Sequence, residues 1–346
     1  MTSQDGAIVL DLIEAFRRSK TMFTAVSLGV FDQLASAPMS APELALVLKC
    51  NADALGRLLD GCVGLRLLQR DDDKYSVADV AKKYLVASSP DTLAGYIIYS
   101  DSSLYKLWSH LDDAVREGTN RWEQTFGSRE SLFAHFFKSE EATRNFLGGM
   151  HGFGQIASSS IVETFDLRGF HQMVDLGGAT GHLCIAACER YPQLRATVFD
   201  LPQVERFANE HLGRSSARER LHFTAGDFFT DELPSADLYT LGRILHDWDE
   251  VKIRLLLEKI HAALPPGGAV LIVEALLEDD HSGPVYALMQ SLNMLICTDG
   301  KERSCPEYKA LLQQTGFETV ECRRSGVLVD AVLARKAGAR ATRSAT

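Results

Sequence analysis

The segment R-I-L-H-D-W-D-E, residues 243–250, follows the apolar run D-L-Y-T-L and places His246 at the tip of an expected strand. Free imidazole titrates near pH 6.5, so at neutrality it is largely unprotonated and ready to take a proton. A phenol, with a pKa of about 10, is a poor nucleophile until a base removes its proton. Such a base needs a group on its second ring nitrogen to orient it. Glu274 closes the run A-V-L-I-V-E and is expected on the same sheet edge. The competing reading of H-D-W-D-E is a strand cap followed by an acidic helix start.

A second group of residues suits a nucleotide-like ligand. D-L-G-G-A-T-G, Asp175 to Gly181, follows an apolar strand and opens a helix. Glycine there lets the backbone turn tightly and approach a ligand. The spacing is G-G-x-x-G, so a pyrophosphate-binding NAD site is not the best match. The next strand ends in Asp200, whose carboxylate can accept two hydrogen bonds from ribose hydroxyls. A helix cap ahead of L-P-Q-V is the alternative for the same residue. Asp227, in the G-D-F-F that starts at Gly226, ends a third strand. All these residues fall at carboxyl ends of strands, where open parallel sheets bind ligands.

The elements that must position them divide the chain in two. Its 346 residues are 46% hydrophobic and 24% charged, a soluble globular composition long enough for two domains. Residues 7 to about 165 read as mostly helical, with S-A-P-E-L-A-L-V-L and N-A-D-A-L-G-R-L-L-D-G-C-V-G-L as a helix-turn-helix-like pair. L-L-Q-R-D-D-D-K-Y-S-V then reads as a hairpin with an acidic turn, completing a winged helix. Basic and acidic side chains number seven each between 41 and 85, and the whole chain carries a net charge of −10. That balance speaks against DNA, and dimer packing is the better use of the module. After G-F-H-Q, strands alternate with helices: M-V-D-L, R-A-T-V-F-D, L-H-F-T-A-G-D, D-L-Y-T-L and A-V-L-I-V-E-A. This is the grammar of an α/β parallel sheet with helices on both faces, and E-T-V-E-C-R and V-L-V-D-A-V-L-A-R read as a closing pair. Seven cysteines form no C-x-x-C pair, so neither a zinc site nor a disulfide framework is expected. Cys184 and Cys188 share a helix face and read as core. No secretion signal or membrane-length apolar run is evident, and a reducing cytoplasm is the simplest compartment.

Taken in order, D-L-G-G-A-T-G, V-F-D-L-P, G-D-F-F, R-I-L-H-D-W, S-L-N-M-L and G-K-E-R-S resemble the S-adenosylmethionine-dependent O-methyltransferases of small molecules. The likeness is nearest to the acetylserotonin (hydroxyindole) group, in a family shared with plant phenolic and bacterial polyketide tailoring enzymes. It implies a Rossmann-like class I methyltransferase domain with a mostly parallel seven-stranded sheet at 166–336. Ahead of it would lie a winged-helix dimerisation domain at 1–95 and a helical connecting segment at 96–165 that lines the pocket. Residues 337–346 would form a disordered tail. The implied cofactor is S-adenosyl-L-methionine, with Asp175, Gly177, Gly178 and Gly181 near its methionine part and Asp200 on the ribose. Leu201 would pack on the adenine, which Gly226, Asp227 and Phe228 would flank. Arg243 would sit near the carboxylate end.

The resemblance makes His246 the general base, oriented by Glu274 and by Glu302, which matches the family's second acid. No metal is required, because a sulfonium already activates its methyl group. The acceptor would be a hydroxylated aromatic small molecule and the assembly a homodimer, with no nucleic-acid or membrane partner. Met289, Asn293 and Cys297 recur at helical spacing on one face. A methionine stripe is usually core, but an Asn on the same face is less easily explained that way, and by resemblance this helix borders the acceptor pocket, with Asp247 nearby. Phe146, Met150, Phe153 and Trp108 would add apolar walls. The acetylserotonin group carries a glutamine where this chain has Cys297, and a thiol cannot replace an amide that bonds an acetamide. The acceptor therefore stays open. N-methylation, cofactor-assisted decarboxylation or hydroxylation, and a ligand-sensing winged-helix regulator are the alternative readings.

Overall fold

The computed structural model describes residues 3–127, 137 and 139–338. The chain divides into two compact units, Met1–Tyr105 and Lys106–Thr346. Most of the tail expected to be disordered, from residue 339 on, lies outside the described residues.

The first unit opens with helix α1, Ser3–Ser27, then α2, Val30–Ser36, and the short strand β1, Met39–Ser40. Helix α3, Ala41–Leu48, begins where Ser40 and Glu43 form a reciprocal capping box, with Pro42 in the first turn. Helix α4, Ala52–Gly64, is capped by the Asn51 side chain, which accepts the Ala54 N–H. Strands β2, Leu68–Asp71, and β3, Lys74–Val77, pair antiparallel across the acidic turn, and β1 adds to β3. The expected hairpin and winged-helix order are therefore present. Its core runs from Ala25 through Phe31, Leu44, Leu59 and Tyr75. The front of α1 takes no part in it: Ile8, Leu12 and Phe16 are 63%, 70% and 53% exposed.

The second unit is built on a seven-stranded sheet. Its strands are β4, Gln172–Leu176; β5, Arg195–Asp200; β6, Leu221–Ala225; β7, Leu238–Gly242; β8, Ala269–Glu274; β9, Thr319–Arg323; and β10, Asp330–Arg335. Their order is β6-β5-β4-β7-β8-β10-β9, parallel except for β10, which runs antiparallel to both neighbours. Order reverses at β4, so the crevice between β4 and β7 is the topological switch point.

Strand β8 shows how the sheet sorts its residues. All six are buried, and alternate ones enter opposite cores. Ala269, Leu271 and Val273 join the side that holds Leu183, Cys184 and Cys188, whereas Val270 and Ile272 join the side that holds Leu245, Leu257 and Tyr308. Glu274 is next in that second register, so a carboxylate occupies a core position. Cys184 and Cys188 are fully buried, as their helical spacing implies.

Two expectations are corrected here. Strand β7 stops at Gly242, and His246 lies beyond it in a 3-10 turn, Leu245–Asp247. The chain leaves the sheet early because Glu274 Oε1 accepts the backbone N–H groups of Ile244 and Leu245 at 3.0 and 2.9 Å. The cysteines are not all free: Cys305 and Cys322 form a disulfide. They come from a helix start and an edge strand that only the tertiary fold brings together, so their spacing carried no signal. Among the described residues, no helix is long and apolar enough to cross a membrane.

Candidate active site

The glycine loop leaves β4 at the switch point. Gly177 has φ +70°, and a Cβ there would come within 2.5 Å of Ile244 Cδ1, so only glycine lets this backbone lie against the wall. Gly178 and Gly181 are equally tight, against Asp175 and against Leu212 and Val198. Asp175 is buried and points across the sheet, where its Oδ1 accepts the Thr240 hydroxyl at 2.6 Å. Burial pushes it up to about 7. It therefore braces the loop from beneath.

Asp200, at the tip of β5, holds the same loop from the side. Its Oδ2 accepts the Ala179 N–H at 2.8 Å and its Oδ1 the Leu201 N–H at 2.7 Å. Burial lifts it to about 6 against the pull of those two donors. Each oxygen keeps a further lone pair for a ligand. Leu201 follows it, half-buried. Gly226 begins the next turn, where a side chain would collide with Phe199. Asp227 Oδ1 accepts the Phe229 N–H at 2.8 Å, and Phe228 packs toward Gly177. Ala179 and Arg243 both hold positive φ, 49° and 57°, without being glycine. Such strain at the ends of two adjacent strands marks a site held in place by its surroundings.

His246, Glu274 and Glu302 are buried, and Asp247 is partly so. Nδ1 stands 2.6 Å from Glu302 Oε1 and 3.2 Å from Glu274 Oε2, while Nε2 stands 3.7 Å from Asp247 Oδ1. The short contact assigns the Nδ1 proton to a bond donated to Glu302 and leaves Nε2 as the second proton position. Burial alone would depress this imidazole, but the carboxylates of Glu274, Glu302 and Asp247 outweigh it and push the value up to about 10. The ordinary value of free imidazole, and with it the expectation of a largely neutral ring at pH 7, does not carry over. Burial in turn raises Glu274 to about 7 and Asp247 above its usual range. The donor atoms of His246, Glu274 and Glu302 lie within 4.8 Å of one another, close enough to share an ion as well as a proton.

The remaining candidates form two groups. Arg243 lies over the Phe153 ring at 4.4 Å and reaches Met150 Sδ at 3.7 Å, so these three belong together. Phe153 also stacks near Tyr286. The second group lies on the helix Val285–Cys297, where the Trp108 indole donates to Asn293 and Cys297 follows one turn on. Met289 is half exposed on the same helix. Phe146 packs against the cluster of Leu147, Val204, Phe207 and Ala208. Sequence reasoning missed Thr240, a hydroxyl inside an otherwise apolar strand, which was a readable signal. It also missed Trp122, whose indole caps the Cys297 carbonyl at 2.8 Å, and no local pattern announces that contact.

A doubly wound sheet with braced glycines, an open-ended carboxylate and a buried acid–histidine group at its switch point defines a nucleotide-cofactor enzyme. Comparison with known proteins narrows the class. An O-methyltransferase domain matches residues 108–318, and an O-methyltransferase dimerisation domain matches residues 10–87. The chain is 44% identical to the acetylserotonin O-methyltransferase of Gallus gallus over 336 residues, covering 95% of this chain and 97% of that one. Human N-acetylserotonin methyltransferase in complex with SAM superposes with a TM-score of 0.91 at 38% identity, over 97% of this chain and 100% of that one. The mitomycin 7-O-methyltransferase gives 0.85 at 25%, over 97% and 98%. This chain belongs to the O-methyltransferase family and is an S-adenosylmethionine-dependent methyltransferase. The free lone pairs of Asp200 at the tip of β5 and the close backbone of Gly177 fit that cofactor.

Proposed function

We propose that the enzyme methylates a hydroxyl of an aromatic small molecule, with His246 as general base acting through Nε2. The observation that carries this reading is the pinned Nδ1, which fixes the ring and aims the other nitrogen away from Glu302. Bound S-adenosylmethionine supplies the methyl group, already activated by its positively charged sulfur. The protein's part is to hold the partners in line and to manage one proton. A phenol and a histidine that both titrate near 10 exchange a proton on nearly level terms. With ordinary imidazole the same transfer would be uphill by about 5 kcal/mol. The opposing effect is occupancy, since the raised imidazole is mostly protonated at pH 7 and Nε2 is free in only a minority of sites.

In the same reading Asp200 holds the ribose, and Gly177, Gly178, Gly181 and Asp175 bound the methionine part. Leu201, Gly226, Asp227 and Phe228 bound the adenine, and Arg243 the carboxylate end. Asp247, Met289, Asn293, Cys297, Met150, Phe153, Trp108 and Phe146 contribute the acceptor wall. A second copy of the chain covers the exposed Ile8, Leu12 and Phe16 of α1, in keeping with the dimerisation domain matched there.

A methyl-transfer screen against phenols, flavonoids, hydroxyindoles and naphthoates, read by mass, tests the activity. A gain of one methyl on a hydroxyl is expected, and no gain on any member overturns the reading. Calorimetry with Asp200→Ala tests the ribose contact, for which a loss of about 2–4 kcal/mol in cofactor binding is expected. Unchanged affinity would remove that assignment.

A further inference from the structure

The Cys305–Cys322 bridge ties the segment that carries Glu302 to the edge of the sheet. Cys305 opens the helix Cys305–Gln314, and Cys322 lies on the edge strand β9. Glu302, three residues before Cys305, meets His246 Nδ1 at 2.6 Å. The segment that carries Glu274 is held from the same edge by other means. Just past β9, the Arg324 guanidinium donates to the carbonyls of Leu276 and Leu277 at 2.6 and 3.3 Å. One acid is therefore anchored through charged hydrogen bonds, and the other through a covalent bond that chemistry can open.

The bridge is within reach of a reagent. Cys305 and Cys322 are half-buried, whereas Cys62, Cys184, Cys188 and Cys297 are buried. Both bridge residues line a cleft of about 730 Å³, with Leu277, Glu278 and Arg324 on its walls, large enough for a small molecule. The two sulfurs are not equivalent. Cys305 sits at a helix start, where free N–H groups stabilise a thiolate, so it is the better leaving group. An incoming thiolate bonds to Cys322 Sγ as the S–S bond breaks, and the electron pair leaves on Cys305, which takes a proton. A second thiolate attacks the external sulfur of that mixed disulfide and frees Cys322 as a thiol. The external disulfide departs, so two thiols have supplied the two electrons.

We propose that Cys305–Cys322 is an exchange site for a small thiol held in this cleft, and that opening it slows catalysis by loosening Glu302 against His246. The effect on rate rests on the reading of His246 as general base, and the bridge acts as a positioning element through Glu302. Small losses of alignment are costly, so kcat should fall by about three- to tenfold on reduction. Cofactor affinity, which that reading gives to Asp200 and the glycine loop, should not change.

The test treats the folded full-length enzyme with dithiothreitol or glutathione, caps free thiols with iodoacetamide and maps them by mass. Cys305 and Cys322 should become labelled while Cys184 and Cys188 stay unlabelled. On a phenol that the screen shows to be methylated, kcat should fall on reduction and recover when oxidised glutathione re-forms the bridge. Cys322→Ser should sit at the reduced rate and ignore the reductant. In Glu302→Gln the charged contact is already gone, so reduction should leave its residual rate where it is. A bridge that resists both thiols in the folded enzyme overturns the exchange site. A bridge that opens without a change in kcat, or with an equal fold loss in Glu302→Gln, overturns its link to His246. Reduction and reoxidation of the wild type keep the test decisive should Cys322→Ser not fold. A wild type that methylates no hydroxyl in the wider screen overturns the proposed function, while the labelling still decides the exchange site.

Discussion

One histidine and a separate histidine cluster stand near the carboxyl ends of the sheet, and their surroundings drive them in opposite directions. His246 meets Glu302, Glu274 and Asp247, and is pushed up to about 10. On the other side of the glycine loop, His151 bonds the Thr180 hydroxyl at 2.7 Å and His182 the Ser158 hydroxyl at 2.8 Å. The ring of His211 lies 3.7 Å from that of His151. Burial, each other's rings and the cations Arg214 and Arg243 push His151 down to about 3 and His182 down to about 4. His246 and His151 are both buried, so burial alone does not separate them. The charge of the neighbours does. In the proposed reading the first is an acid–base device; the second is a neutral brace whose hydroxyl bond holds the loop at Thr180.

The sharpest way to break this contrast is to remove one histidine from each side. His246→Ala should lower turnover of an ordinary phenol by about 10²–10⁴ and leave cofactor affinity unchanged by calorimetry. A nitrophenol, acidic enough to ionise unaided, should lose far less. If His182→Gln lost as much turnover at unchanged cofactor affinity, the two sides would not differ in kind.

A smaller effect sharpens the account of the raised value. Glu302→Gln removes a negative charge beside Nδ1, so the histidine should lose its proton at lower pH. The wild-type kcat/KM should climb well above pH 7, and in the variant that limb should move toward neutrality with a lower plateau, because the base is weaker. A limb at the same pH in both enzymes would show that Glu302 does not set it.

The smallest effect is on stability. His151 and His182 titrate near 6.5 when unfolded and at about 3 and 4 when folded, so the unfolded chain binds more protons as pH falls through this window. Stability present above pH 6.5 is lost on acidification, by about 2 kcal/mol per histidine at pH 5. His246 has the opposite sign: its contribution is full below 6.5 and fades as pH rises toward 10. Thermal unfolding of His151→Gln with His182→Gln at pH 7 and pH 5 checks this. The double variant should lose less Tm on acidification than the wild type, and an equal loss would contradict the assignment.

The strands of the second unit were legible because each is a short apolar run with turn residues on either side. Their order was not, since the insertion of β10 between β8 and β9 is a tertiary choice with no local mark. The histidine was legible as a candidate, but its protonation was not: Glu274 and Glu302 lie 28 and 56 residues away in sequence, and their distances to Nδ1 decide the charge. Asp200 had two readings, ribose ligand and helix cap. In the folded chain Leu201 holds the cap position of the turn that follows and no side chain caps it, while Asp200 accepts the Ala179 and Leu201 N–H groups and keeps lone pairs for a ligand, so the cap reading falls. The disulfide was invisible because a bridge across 17 residues leaves no motif.

That bridge ends a run of four residues with four separate attachments. Glu302 bonds His246, the Arg303 carbonyl accepts the Leu277 N–H, Ser304 caps its helix with Glu307, and Cys305 is bonded to Cys322. Each attachment fixes the register of the next, so the run has no slack in length. In a library of single-residue insertions and deletions, 302–305 should be among the least tolerant segments of the chain, whereas the exposed turn between β2 and β3 should accept them. Evolution along this lineage is then free to vary side chains on the helix Val285–Cys297, which the proposed function places at the acceptor, but not to change the length of the strap that carries Glu302.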